Sequence, residues 1–105
     1  MAIKVLGQAA PSVTTETALY TVPASTTSVV SSVVVCNRST ATTFRISVAV
    51  GGGVTANKDY LYYDTPIPAN DTFIATIGIT LSATDVVRVY AGSANLSFSL
   101  FGQEA

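Results

Sequence analysis

Few side chains in this sequence could carry out chemistry, and they are scattered along it. The chain of 105 residues contains no histidine, which excludes Ser-His-Asp and Cys-His catalysis as well as histidine-containing metal sites. The single cysteine, Cys36, ends a run of valines, and the nearest charge, Arg38, is two residues further on. This setting favours a small buried hydrophobic side chain over a reactive thiol. We therefore expect a protein that is not an enzyme and that uses no cofactor.

The acidic residues do not form a recognisable metal-binding motif. Asp59, Asp64, Asp71 and Asp85 lack the alternating spacing that brings several oxygens onto one calcium ion. Two of them, Asp71 and Asp85, stand where a turn leads into a strand. An aspartate there can close the turn by hydrogen bonding to nearby backbone. We expect these residues to be structural and the chain to hold no metal.

The aromatic residues are concentrated in the segment KDYLYYDTP. Strand alternation places Tyr60 and Tyr62 on one side of this segment and Leu61 and Tyr63 on the other. Tyrosine combines a large apolar ring with a polar tip, so it is common at protein interfaces and at sugar-binding platforms. The segment predicts an interface, with a carbohydrate-binding platform as an alternative.

The composition indicates a surface suited to contact. Charged residues make up only 10% of the chain, whereas threonine occupies 15 positions and serine 11. Short hydroxyl side chains lose little entropy on burial, so a partner can cover them at low cost. The net charge of −1 and the scattered basic residues argue against nucleic acid as a partner. No apolar run approaches the roughly 20 residues of a membrane helix, so we expect no membrane partner.

Strand signals recur about every ten residues, which predicts an all-β protein of one domain, residues 1–105. We predict about eight short antiparallel strands in a β-sandwich, Greek-key or jelly-roll-like, preceded by an N-terminal strand and arm over about residues 1–16. The N-terminus lacks a long hydrophobic signal region, so we expect the chain to be made and kept in a cytosol. The predicted strands are 3–6, 17–22, 28–36, 42–50, 59–64, 72–79, 85–91 and 95–101.

The valine-rich third strand is apolar on both faces. Alternation places Val29, Ser31, Val33 and Val35 on one face and Val30, Ser32, Val34 and Cys36 on the other. Such a strand is either central and covered on both sides, or covered on its outer side by another subunit. Together with the tyrosines, this strand supplies the candidate interface residues: Val30, Val34, Cys36, Tyr60, Tyr62 and Tyr63.

A pattern of short segments over nearly the whole chain carries a resemblance to known proteins. The segments are LYTVPASTTSVVSSVVVCNRS, ATTFRISVAV, NKDYLYYDTPIPANDT, GITLSATDVVRVYA and NLSFSLFG. The chain resembles a family of small virion proteins that tailed bacteriophages encode among their structural genes. The resemblance implies a place in the virion, with assembly in the cytoplasm of the host bacterium.

The resemblance leaves more than one location in the virion open. Small β-sandwich proteins of this kind commonly serve as capsid cement or decoration proteins, often as homotrimers that bind the major capsid protein where capsomers meet. Others form parts of the tail, baseplate or fibre. Our leading hypothesis is a cement protein, and the alternative is a tail component.

Overall fold

Most of the described residues lie in eight antiparallel strands. The computed structural model describes residues 2 to 105. All eight predicted strands are present, and their bounds differ from the prediction by at most three residues. They are β1 (Ala2–Ala9), β2 (Thr17–Thr21), β3 (Ser28–Asn37), β4 (Thr42–Ala49), β5 (Tyr60–Ile67), β6 (Thr72–Leu81), β7 (Val86–Ala91) and β8 (Leu96–Glu104).

Between residues 2 and 105, helical structure is limited to two short 3₁₀ turns, Val50–Gly52 and Asn57–Asp59, in the β4–β5 connection. Across the described residues, the search for a helix of sufficient length and hydrophobicity to span a bilayer found none.

The strands pair as they would in a long ribbon folded back on itself. β1 pairs with β8, β2 with β7, β3 with β6 and β4 with β5. Two further pairings, β8 with β3 and β7 with β4, complete two four-stranded sheets. The first sheet has the order β1-β8-β3-β6, and the second sheet has the order β2-β7-β4-β5. Nested pairing of this kind gives the strand order of a jelly roll.

The core lies between the two sheets and contains a cluster of aromatic rings. The Phe44 ring centroid lies 5.1 Å from that of Phe73 and 6.2 Å from those of Phe98 and Tyr62. Such tilted and edge-to-face contacts contribute beyond the burial of apolar area. Alternating residues of both sheets complete the core, as the inward side chains of β7 and β8 show.

Three similar turns separate strands and share one backbone conformation. The fourth residue of VPAST, IPAND and LSATD is Ser25, Asn70 and Thr84, and each has a positive φ, between 55° and 70°. The left-handed conformation costs a non-glycine residue some strain, which local hydrogen bonds offset. In the third turn the Asp85 carboxylate accepts hydrogen bonds from the backbone N–H groups of Ser82 and Gly51, both at 2.9 Å. This aspartate is structural, as the sequence predicts.

The segment that the sequence predicts as an extended arm lies against its own sandwich. Residues up to Ala9 belong to β1, and residues 10–16 connect β1 to β2. Pro11 is buried, and the backbone N–H of Thr14 donates to the carbonyl of Ala91 at 2.9 Å. The arm therefore has its packing partner within the same chain.

Candidate interaction surfaces

The six candidate interface residues do not form one surface. Val34 and Cys36 lie on the outer face of the first sheet, while Tyr60 and Tyr63 lie on the outer face of the second. The remaining two, Val30 and Tyr62, belong to the core or pack against it. The sequence thus identified side chains on both outer faces but gave no indication that a whole sandwich separates them.

The structure corrects the predicted position of Val30 on β3. Its exposed fraction is 0%, as are those of Val33 and Val35, so all three side chains point into the core. The pairing of β3 with β8 shifts between Val30 and Ser32, which leaves Ser31 as an extra residue. A bulge of this kind reverses the alternation of the strand that carries it. Val30 is therefore not available to a partner.

The tyrosine segment also departs from simple alternation. The register of β5 against β4 shifts twice, around Leu61 and again before Asp64. As a result Tyr62 packs inward against Phe44 and Phe73, while Tyr60 and Tyr63 stand together, with ring centroids 4.8 Å apart. The prediction that Tyr60 and Tyr62 share a side is wrong because of these irregularities.

The outer face of the first sheet is a continuous surface without charge. The four strands of this sheet carry two charged residues, Lys4 and Glu104, which pair with each other at 3.0 Å, and every outward strand position that the structure describes is uncharged. Neighbouring strands contribute matching rows, one of which runs Val5, Phe101, Ser32, Thr76. The residues of this face are Ile3, Val5, Gln8, Val29, Ser31, Ser32, Val34, Cys36, Thr72, Ile74, Thr76, Gly78, Thr80, Ser97, Ser99, Phe101 and Gln103.

Large apolar side chains on this outer face remain open to solvent. Ile3 is 86% exposed and Ile74 66% exposed, at opposite edges of the sheet. Between them, Val29 and Ser31 line a shallow cleft of about 230 Å³. Exposed apolar groups favour contact with a partner, and the intervening hydroxyls can hydrogen-bond to it or to trapped water.

Cys36 occupies the end of this outer face. It is half-buried and lies between its cross-strand neighbours Thr72 and Ser97. Arg38, the nearest charge in the sequence, is engaged elsewhere, since its guanidinium donates to the carbonyl of Ala94 at 3.1 Å. Cys36 is more exposed than the buried side chain that the sequence favoured, and its neighbours are hydroxyl groups.

The outer face of the second sheet has a different chemistry. The guanidinium of Arg45 lies 4.2 Å from the ring centroid of Tyr63 and 4.4 Å from that of Tyr90. Its Nε donates to Asp64 Oδ1 at 2.7 Å, and this hydrogen bond raises the pKa of Arg45. Nearby, Arg88 donates to the carbonyl of Gly53 at 2.6 Å and so fixes the glycine-rich loop. This face is charged and is occupied by contacts within the chain.

The contact between Arg45 and Tyr90 could not be predicted from the sequence, although the sequence contains part of the signal. Alternation in β4 and in β7 places each residue outward. The missing information was the register, in which Arg45 pairs directly with Tyr90. Registers depend on long-range strand pairing and cannot be obtained from one strand at a time.

Tyr60 and Tyr63 form the wall of a small cleft on the second sheet. The two rings are nearly perpendicular, at 80°, and with Asn57 they line a cleft of about 250 Å³. The Arg45 guanidinium stacks on the Tyr63 ring, and Tyr63 as a whole remains 56% exposed. Residues 2 to 105 contain no cluster of three or more His, Cys, Asp or Glu side chains that could hold a metal ion.

Comparisons of the chain with protein-family models, with curated proteins and with solved structures found no match.

Proposed function

We propose that this chain is a structural protein of a bacteriophage virion, and more specifically a capsid cement protein that binds at capsomer junctions. The resemblance of its sequence to small phage virion proteins supports the virion role. Jelly rolls occur in capsid proteins but also in lectins and enzymes, so the fold alone does not decide the function. The observation that carries the proposal is the uncharged outer face of the first sheet.

Association is the mechanism that this outer face supports. Four strands at about 4.8 Å spacing and about nine residues of length give a surface on the order of 600 Å² per copy. Covering it would bury roughly 1,200 Å² in total, the lower end of specific protein interfaces. A ligand that binds the assembled shell but not its separated parts stabilises the shell by mass action. Repetition over a symmetric particle multiplies this effect.

The test is binding of the purified chain to phage capsids that lack it. We expect saturable binding and an increase in the temperature at which the capsids disassemble. Ser99→Lys, in the middle of the outer face, should weaken binding at least tenfold, because it forces a charge into an apolar contact. The control is Val54→Lys, which adds the same charge at a loop position that is 95% exposed. Equal binding of both variants would contradict the assignment of this surface.

A tail, baseplate or fibre component is the alternative, since the same surface could serve there. The location of the chain in a reconstructed particle, together with its copy number, separates the two roles. A cement protein occurs in proportion to capsomers, whereas a baseplate component occurs in a small fixed number.

The cleft beside Tyr60 and Tyr63 is the observation that favours host-glycan binding as a third role. Tyrosine rings and the Asn57 amide are groups that sugars use. A glycan array should then give a signal that Tyr60→Ala removes, whereas the same array without any signal would eliminate this role.

A further inference from the structure

The four edges of the two sheets differ in how well they are protected against pairing with another chain. An unpaired strand edge exposes backbone donors and acceptors, and proteins usually block it with charge, proline, bulges or short length. β1 carries Lys4 and a register shift at Leu6. β2 has only five residues, and β5 contains Pro66 and two register shifts.

The fourth edge, that of β6, has the least protection. β6 is ten residues long and contains neither a charged residue nor a proline. Its only irregularity is one register shift against β3, opposite Ser31. Its side chains alternate without interruption between the core and the outer face. Strands of this kind are templates for the addition of another strand.

An apolar cleft lies beside β6, on the same side of the sandwich, and is open to solvent. The cleft has a volume of about 370 Å³ and lies between β5 and β6, where Leu61 and Tyr62 face Ile77 and Ile79. Leu61 is 45% exposed, and Ile74 at the same margin is 66% exposed. A chain that paired with β6 would cover this cleft at the same time.

We propose that β6 pairs in antiparallel orientation with β6 of a second copy of this chain, across a two-fold axis. Two copies of one strand related by a two-fold axis perpendicular to the sheet are necessarily antiparallel. The result is a continuous eight-stranded sheet shared by two molecules. This proposal concerns self-association and does not depend on the virion role.

The sequence of β6 is compatible with pairing to itself. In an antiparallel pair, residues directly opposite each other point to the same face. The inner positions of β6 are all apolar, so any two-fold register places apolar side chains opposite one another. The outer positions are threonine, isoleucine or glycine, so no register brings like charges together. The inner set is Phe73, Ala75, Ile77, Ile79 and Leu81, and the outer set is Thr72, Ile74, Thr76, Gly78 and Thr80.

The geometry also indicates that association stops at two copies. Once both β6 strands are paired, the shared sheet ends in β1 on each side, where Lys4 and the bulge at Leu6 oppose further addition. The surface made by the β6 edge and the adjoining cleft is about 33 Å long for a ten-residue strand. It is at most 19 Å wide, the smallest dimension of the molecule. It therefore offers up to roughly 1,200 Å² for the pair, above the roughly 1,000 Å² of a specific interface.

The experiment is sedimentation velocity of the full chain with Thr76→Lys as the disrupting variant. We expect the native chain to sediment as a dimer, with twice the 10.8 kDa mass of one copy. Thr76→Lys places two like charges near the two-fold axis and should raise the dissociation constant at least tenfold. Ser99→Lys is the matched control, because it adds the same charge to the first sheet away from its edge, and it should leave the dimer intact.

A second measurement identifies the edge itself. A mixed dimer of isotope-labelled and unlabelled copies should show NMR cross-peaks between protons of β6 in one copy and β6 in the other.

A monomer or a trimer of the native chain would overturn the proposal. A dimer that Ser99→Lys dissociates and Thr76→Lys leaves intact would also overturn it. A trimer would support the assembly that the resemblance to phage proteins implies. Capsid binding by a monomer would overturn the pairing while leaving the virion role in place.

Discussion

Single residues in this protein matter most where backbones approach closely. Gly102 of β8 is buried, and a Cβ added at this position would overlap the carbonyl oxygen of Val29 in the neighbouring strand. Because the obstructing atom belongs to the backbone of a central strand, it cannot move aside as a flexible side chain would. The glycine is required here by the approach of β3 to β8.

Gly102→Ala should therefore lower the free energy of unfolding by about 3 kcal/mol, the upper range for overpacking. Urea denaturation followed by circular dichroism measures the change. The matched control is Gly53→Ala, where the backbone is extended and the nearest atom to an added Cβ is 3.8 Å away. That variant should stay within about 0.5 kcal/mol of the native chain. Equal loss in both variants would contradict the steric argument.

Glu104 makes the free energy of unfolding depend on pH in the acidic range. The hydroxyl of Tyr20 and the Nζ of Lys4, at 3.0 Å, both donate to its carboxylate, and these hydrogen bonds lower the pKa of Glu104 from its usual 4.5. Folding therefore favours the ionised form. The stabilisation is complete above the unfolded pKa and is lost as the pH falls through the lowered folded pKa.

We expect the free energy of unfolding to decrease as the pH falls from about 5 to about 3, and Glu104→Gln to reduce that decrease. The variant should also be less stable than the native chain at neutral pH. Denaturation at a series of pH values measures both effects. Glu16→Gln, at an exposed position before β2, serves as the control and should keep the native pH dependence. An unchanged acid response in Glu104→Gln would show that another group is responsible.

At the scale of the elements, a buried asparagine joins β3 to the β5–β6 connection. Asn37 is 1% exposed. Its Nδ2 donates to the carbonyls of Thr40, Ile67 and Pro68 at 2.8 to 3.3 Å, and its Oδ1 accepts from the backbone N–H of Ser39 at 3.1 Å. One side chain thus satisfies backbone groups of two connections that cannot pair within a sheet.

Asn37→Ala should lower the free energy of unfolding by about 2 to 3 kcal/mol, because it removes the donor to one buried carbonyl and two partly buried ones. Asn95→Ala is the control, since Asn95 contributes only backbone groups to the hydrogen bonds of the described residues. That change should cost less than about 1 kcal/mol. Chemical denaturation of both variants tests the difference, and a loss as large in Asn95→Ala would remove the role given to the Asn37 side chain.

The strands β8 and β3 show how much of the fold could be predicted from the sequence. Period two holds throughout β8, so its inner residues Leu96, Phe98 and Leu100 follow directly from the pattern. In β3 the bulge at Ser31 moves Val30 from the predicted outer face to the core. A bulge is defined by the partner strand, and no local propensity marks it. Strand existence was therefore predictable, whereas the faces of β3 and β5, and with them the candidate surfaces, were only partly so.

At the scale of the whole molecule, the uncharged outer face results from the way the nested strand pairing distributes the strands between the two sheets. The first sheet combines strands from the beginning, middle and end of the chain, and each contributes outward residues without charge. The charges collect on the second sheet, in its loops and at the rim. Two faces with different chemistry thus arise from one folding pattern, and only one of them suits contact.

Nested strand pairing also predicts how the chain tolerates a change in connectivity. Ala2 of β1 pairs with Glu104 of β8, so a short linker can join the two ends as a hairpin. Opening the chain between Gly53 and Val54 then gives the strand order β5-β6-β7-β8-β1-β2-β3-β4. The four pairs remain nested in the same way, with β8 and β1 at the centre in place of β4 and β5. The mean sequence separation of contacts is nearly unchanged, and folding rate follows this separation.

This circular permutant should fold to the same structure, with a refolding rate within about threefold of the native chain. Stopped-flow refolding from urea measures the rate, and circular dichroism checks the structure. A second permutant, opened between Ser32 and Val33, is the control and should not fold, because the break divides the central strand of the first sheet. A tenfold slower rate in the first permutant would show that the native order of pairing, and not the nested topology alone, directs folding.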